Sequence, residues 1–446
     1  RQAIMMSGLA AVVACSRLVT GASRCCTRHA RRNTPRLRGS AAASFSQLVT
    51  NVPQPTDTCV ATFVWIDGTG TQLSSRSQKL AFVPSRLEQL PQIACTESFA
   101  CLADRDGVGR TSSDVLARPV AIFDDPTRPN VVSRLIMCDT YLADGTPSPT
   151  NHRHSCALTM EMIKEADPWF GIEQEYTFVD TAHHKPIGWS QMQEGKEQRL
   201  LLSPPPPSPP LVESDHHHHH HNSHNHHYCG VGCGKVIARA IVDLHHFACL
   251  HAGISITGTN AEAMLSQWEF QLLAKGVAAS DELWMSRFLL QRIAEDHGIV
   301  ATFKPKPVEG QWTPAACHVN FSVKSMREEG GIRAIKDAID KLARRHEAHM
   351  RFYYGSDENY ALSGTSSATD TPVAPPSAST SAAAVAPPQF ANFSWGIADR
   401  NCCVRIPRTC AVAGYGYLED RRPSSNVDPY VVTNLLARTC VLNETD

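Results

Sequence analysis

The chain has 446 residues, 42% of them hydrophobic, enough to bury a large core in two or three domains. Its 42 Lys and Arg nearly balance 43 Asp and Glu, so bulk charge argues for neither nucleic acid nor an anionic membrane as a partner. No apolar run approaches the ~20 residues of a membrane-spanning helix, and the 16 cysteines lack the short regular spacing of a disulfide scaffold, which makes reduced intracellular thiols the expectation.

Residues 1–54 read as a basic leader. Eight arginines precede the first acid, Asp57, with alanine and serine between them, as in an organellar transit peptide. The short apolar run from Leu9 to Ala14 leaves a secretory signal as a rival, and a disordered leader is the plainest alternative. The chain starts at Arg1 rather than Met, so further residues are expected before it. From Cys59 to Ile66 aromatic and β-branched residues predict a strand, closed by the Asp67-Gly68 turn. Val115–Phe123 and Val131–Met137 are two more apolar runs, and together they predict a small sheet domain over 55–147. The stretch Pro168-Trp-Phe-Gly-Ile-Glu-Gln-Glu-Tyr176 predicts a further strand, on which Glu173 and Glu175 share a face. Two carboxylates on one face repel unless a cation lies between them, and hard divalent ions such as magnesium and manganese suit oxygen ligands. A merely wet polar face explains the same spacing.

The segment 194–227, with Pro204–Pro207 and six consecutive histidines at 216–221, reads as a solvated insertion of polyproline character. His226, His227, Cys229 and Cys233 are zinc-ligand types, but a low-complexity expansion accounts for them more simply. Three helices follow from apolar spacing: Ile237, Ile241, Leu244 and Ala248 before Gly253; Met285, Leu289 and Ile293 before Gly298; and Ile332, Ile335, Ile339 and Leu342. Cys317–Lys324 alternates like a strand. Residues 366–391, rich in Ala, Pro, Ser and Thr, form a second solvated insertion, and an ordered block runs from Phe393 to Leu442. Strands and helices mix without a strict βαβ rhythm, so the class is α+β.

Further candidate ligands are scattered: Glu262 and Glu269, His318 in a strand-like run, and Glu419. Singly, each is what a solvated acid or a satisfied histidine looks like. The C-terminal block adds Arg400, Arg405, Arg408, Arg421 and Arg422, whose forks suit phosphate and carboxylate. Carboxylates, an imidazole and an arginine group together point to metal-assisted phosphoryl transfer.

Seven segments carry a resemblance. They are Asp-Pro-Trp-Phe-Gly-Ile-Glu-Gln-Glu-Tyr-Thr (167–177), Tyr-Cys-Gly-Val-Gly (228–232), Gly-Thr-Asn-Ala-Glu (258–262), Gln-Trp-Glu-Phe-Gln (267–271), Cys-His-Val-Asn-Phe-Ser (317–322), Lys-Ser-Met-Arg-Glu-Glu-Gly-Gly (324–331) and Glu-Asp-Arg-Arg-Pro-Ser-Ser-Asn (419–426). In this order they resemble glutamine synthetase of the eukaryotic type, over roughly 55–442 apart from the insertions. The resemblance implies a small N-terminal β-grasp domain and, over 148–446, a larger catalytic domain with a curved antiparallel sheet and helices. It implies two Mg2+ or Mn2+ sites: Glu175, Glu262 and Glu269 at one, Glu173, His318 and Glu419 at the other. ATP is implied as co-substrate near Trp169, Glu173, Glu269, Asn320, Phe321, Ser322, Arg400, Arg405, Tyr417 and Glu419. L-glutamate is implied at Gln311, Trp312, Arg400 and Arg421, with Arg400, Arg421 and Glu175 in catalytic roles. Ammonium is the third substrate, and the product is glutamine by way of γ-glutamyl phosphate. A homo-oligomer is implied, a decamer of two pentameric rings, located in the cytoplasm or, if the leader is a transit peptide, in a mitochondrion or plastid.

The chain departs from the pattern in places. The family flap stretch Arg-Leu-Thr-Gly reads Ala361-Leu-Ser-Gly364, and no glutamate follows before Phe393. The Trp-Asn-Gly-Ala-Gly-Cys-His loop reads Trp312-Thr-Pro-Ala-Ala-Cys-His318, where Pro314 removes a backbone donor. The N-terminal signature expected before Ser113 is missing, with Asp104 and Asp106 the nearest acids. These changes keep open a second reading, a catalytically impaired oligomer that retains metal and nucleotide. The third, a kinase for guanidino substrates, conflicts with the Phe170–Tyr176 and Glu419–Pro423 motifs.

Overall fold

The computed structural model describes residues 55–96, 114–128, 130–182, 184–188, 227–232, 235–308, 312–353 and 390–445. The leader, Asp104 and Asp106, Gln311, the Ala361–Gly364 stretch and nearly all of both insertions lie outside them.

Five strands, β1 (Cys59–Ile66), β2 (Leu73–Leu80), β3 (Ile93–Thr96), β4 (Asp114–Asp124) and β5 (Ser133–Tyr141), form a sheet in the order β2-β1-β5-β4-β3. β1 and β5 run parallel and the other pairs antiparallel. Period-two alternation divides β1 between two cores. Cys59, Ala61, Phe63 and Trp65 enter a small cluster with Leu80, Val115 and Ile136, whereas Val64 and Ile66 join the main core. Edge strand β2 (Leu-Ser-Ser-Arg-Ser-Gln-Lys-Leu) is mostly polar and exposed, which discourages pairing with another chain.

The helix α1 (His152–Met162) follows, its N-terminus capped by Asn151, whose side chain accepts from the His154 amide at 3.1 Å. Next comes β6 (Trp169–Asp180), the centre of an eight-stranded sheet. Its partners are β7 (Ile256–Ala261), β8 (Gln267–Lys275), β9 (Ile299–Thr302), β10 (Cys317–Ser322), β11 (Trp395–Ile397), β12 (Val404–Ile406) and β13 (Leu418–Asp420). The order is β11-β12-β13-β10-β6-β8-β7, with β9 also on β6, and only β11–β12 is parallel. Between the strands lie α2 (Arg239–His251), α3 (Ala278–Asp296), α4 (Lys324–Arg327), α5 (Ile332–Arg344), α6 (His346–Tyr353), α7 (Arg408–Ala413) and α8 (Pro429–Cys440). Gly253 and Gly298 follow α2 and α3 at φ +80° and +66°, a conformation that costs glycine little.

Even-numbered residues of β6, namely Phe170, Ile172, Tyr176 and Phe178, are buried in the main core, which also takes Leu283, Met285 and Leu289 of α3. Each contributes about 1.5–3 kcal/mol by leaving water. The odd-numbered residues are thereby turned to the opposite face. The mixture of mainly antiparallel sheets and packed helices is α+β, as the sequence implied. No disulfide joins two described cysteines, and no described helix is long and apolar enough to cross a membrane.

Candidate active site

On the outward face of β6, Glu173 and Glu175 open into a cavity of about 790 Å³. Sheet register assembles the rest. β10 sets His318 opposite Glu173, and β8 sets Glu269 opposite Glu175. β13 sets Glu419 opposite Asn320, and β12 sets Arg405 opposite Glu419. Glu262 follows β7 directly, with its amide bonded to the Gln267 carbonyl at 2.9 Å. Two groups result. Donor atoms of Glu173, His318 and Glu419 lie within 4.8 Å of one another, and so do those of Glu175, Glu262 and Glu269.

The electrostatics of the two groups differ. Burial, reinforced by the charges of Glu262 and Glu269, pushes the Glu175 carboxyl well above its ordinary range. Burial likewise raises Glu262 to about 7, and burial with the charges of Glu173 and Glu262 raises Glu269 to about 8. Burial acts on Glu173 too, but His318, Asn320 and Arg421 outweigh it and hold that carboxyl below its usual value. Amides fix the acids in place: Asn260 donates to Glu262 at 2.6 Å, Gln271 to Glu269 at 2.5 Å, Asn320 to Glu173 at 2.7 Å, and the Ala316 backbone N–H to Glu175 at 3.2 Å. Glu419 is gripped from both sides, Oε2 by Arg405 Nη1 and Oε1 by Arg421 Nη1 at 2.5 Å. Among the described residues the buried Nε atoms of both arginines have no hydrogen-bond partner.

Among the described residues no Lys or Arg forms an ion pair with Glu175, Glu262 or Glu269. Five carboxylates and one imidazole, three of those carboxylates lacking a direct counter-charge, are a donor set that fits hard divalent cations. The site can therefore neutralise and orient anions with two kinds of cation, bound ions and the forks of Arg400, Arg405 and Arg421.

Of the other expected site residues, Trp312, Asn320, Arg400 and Tyr417 line the cavity. Trp169 and Ser322 share its strand face but pair with each other at the far end of β6–β10. There the Trp169 indole donates to Asp167 at 2.9 Å between the cations of Lys275 and Arg327, and Arg327 donates to Ser322 at 2.9 Å. Phe321 departs from its expected place. Alternation turns its ring into the core, 5.3 Å from Phe170 and away from the cavity. Of the zinc-ligand types near the histidine tract, His227 meets the Lys235 carbonyl at 2.8 Å, and no described ligand group includes it or Cys229.

The sequence reading missed Tyr228, Gln271, Thr313, Ala316 and Phe390 as lining residues. Gln271 had a signal, standing two residues after Glu269 and so on the same strand face. For Phe390, beside a low-complexity segment, there was none.

A model of the glutamine synthetase catalytic domain matches residues 155–352. Glutamine synthetase 1, mitochondrial, of Drosophila melanogaster is 42% identical over 404 residues, covering 90% of this chain and 88% of its own length. Glutamine synthetase 2 cytoplasmic of the same organism is 42% identical over 391 residues, covering 86% and 91%. The glutamine synthetase of Rattus norvegicus is 40% identical over 410 residues, covering 90% and 94%. A solved structure of apo GmaS without ligand matches with a TM-score of 0.55 at 15% identity, covering 86% of this chain and 77% of that one, a likeness of fold alone. With about two residues in five identical along nearly the whole length of such relatives, the chain belongs to the glutamine synthetase family.

Proposed function

We propose that the protein is an ATP-dependent ligase that joins ammonia to L-glutamate to give L-glutamine. The γ-carboxylate oxygen of glutamate attacks the γ-phosphorus of ATP, and ADP leaves. Ammonia, having lost the proton of ammonium, then attacks the acyl carbon of γ-glutamyl phosphate and phosphate leaves. The observation that carries the reading is the pair of donor groups in one cavity, divided by a single strand. Glu175, Glu262 and Glu269 would hold one Mg2+ or Mn2+ and Glu173, His318 and Glu419 the other, and such ions screen anionic partners that otherwise repel. Arg400, Arg405 and Arg421 supply fixed positive charge for the phosphates and the substrate carboxylate. About 790 Å³ suits a nucleotide with a small amino acid.

One observation favours a second reading, a binding-competent but catalytically weak protein. Pro314 lines the cavity and has no N–H to offer a substrate. Incubation with glutamate, ATP, hydroxylamine and Mg2+ or Mn2+ separates the two. γ-Glutamyl hydroxamate supports the ligase; its absence, with nucleotide and metal still binding by calorimetry, supports the second. The decamer of stacked pentameric rings is tested by light scattering. Cytoplasmic against mitochondrial or plastid residence is tested by imaging the full chain.

A further inference from the structure

Behind β6, on the side away from the cavity, lies a polar group that the reaction does not use. Gln174 stands between Glu173 and Glu175 but points the other way and is fully buried. Its Oε1 accepts from Nε and Nη2 of Arg287 at 2.9 and 2.6 Å, while its Nε2 donates to the carbonyls of Glu175 and Ser425 at 2.7 and 2.9 Å. The same guanidinium donates to the Val427 and Ser425 carbonyls at 3.0 and 3.1 Å. Trp284 and Phe303 cover it, with ring centroids 4.8 and 5.1 Å away.

Arg287 is only 2% exposed, and among the described residues no carboxylate lies within ion-pair distance of it. A buried cation without a paired anion is costly, and burial accordingly lowers its proton affinity. An apolar side chain would fill the same volume without that cost. What the guanidinium adds is directional: four hydrogen bonds that tie β6 to the segment after β13. β6 carries Glu173 and Glu175, and the tied segment follows shortly after Glu419 and Arg421 in the chain. Gln174 pairs with Cys317, the neighbour of His318, and the Cys317 amide bonds the Pro423 carbonyl at 3.0 Å, just beyond Glu419 and Arg421.

We propose that Arg287 is a positioning residue of the active site: through Gln174 it fixes the backbone between Glu173 and Glu175, and with it the spacing of the two donor groups. The proposal rests on those groups being divalent-ion sites. Its test is Mn2+ titration by calorimetry together with electron paramagnetic resonance of the loaded protein, on the wild type, Arg287→Lys and Gln174→Met. The lysine keeps the charge and loses the fork; the methionine keeps the volume and loses both amide contacts. The wild type is expected to bind two Mn2+ with interacting spins. Both variants, folded by circular dichroism, are expected to bind Mn2+ about tenfold more weakly or worse and to show a changed spin–spin splitting. If one variant does not fold, the other carries the test. Folded variants with wild-type affinity and an unchanged spectrum would make Arg287 a core residue only and overturn the proposal, as would failure of both to fold. A wild type that binds no Mn2+ removes the ion-site reading itself, and this proposal with it.

Discussion

Three neighbouring acids, Glu175, Glu262 and Glu269, hold protons far above the pH at which exposed glutamates lose them. Their folded values exceed their unfolded ones, so between about pH 4.5 and 8 these three groups bind more protons in the folded, metal-free protein than in the unfolded chain. Stability from this source is present at acid pH and is lost as the pH rises through 7 to 8. Thermal unfolding without metal should show that fall from pH 6 to 8, and a Glu262→Gln, Glu269→Gln double variant should flatten it. Because an arriving ion must displace those protons, Mn2+ affinity should rise over the same interval, measured by calorimetry in two buffers of different ionisation heat. Glu175→Ala removes a buried anionic ligand. On the scale of about 3–5 kcal/mol for breaking a buried charge interaction it should weaken Mn2+ binding at least a hundredfold; unchanged affinity would remove Glu175 from the ligand set.

Among the elements, β13 and the two residues that follow it separate two roles within four positions. Glu419 and Arg421 line the cavity, while Asp420 and Arg422 point inward as a fully buried pair at 2.8 Å. Asp420 also accepts from the Tyr353 hydroxyl at 3.1 Å, and Arg422 lies against His346 and His349 of α6. Arg422→Met should cost about 3–5 kcal/mol of stability by leaving Asp420 charged and unpaired. Arg421→Met, one position away, should cost far less stability and instead weaken nucleotide or glutamate binding. Denaturant unfolding and calorimetry on both variants check the contrast. β6 was legible in the sequence because Phe-Gly-Ile-Glu-Gln-Glu-Tyr combines strand-forming residues with alternation. α1 was not, since only Cys156, Thr159 and Met160 of its eleven residues are buried, too narrow a stripe to mark a period. Gln174 carries no signal of its own in the sequence, since only the fold brings up the Arg287 to which it bonds.

At the scale of the molecule, a formal charge of −1 conceals five glutamates gathered in one cavity. His318 lies 145 residues from Glu173 and Glu419 a further 101, so their meeting depends on strand register, which spacing along the chain does not encode. The resemblance named these residues, but the geometry came from the sheet. The parallel pairing of β1 with β5 was equally hidden, since both read as plain apolar strands. If divalent ions bind only the folded form, Mn2+ at a hundredfold excess over its Kd should add about 2.7 kcal/mol of stability, read as a rise in Tm that a chelator reverses. A last consequence follows from the double grip on Glu419. Both its oxygens are engaged by arginines, and each keeps a second lone pair, so a divalent ion taking that carboxylate would share it with a guanidinium and draw charge from that contact, leaving the guanidinium more available to a phosphate. Metal and nucleotide become thermodynamic allies: each should raise the affinity of the other by the same factor, a reciprocity that paired titrations can measure.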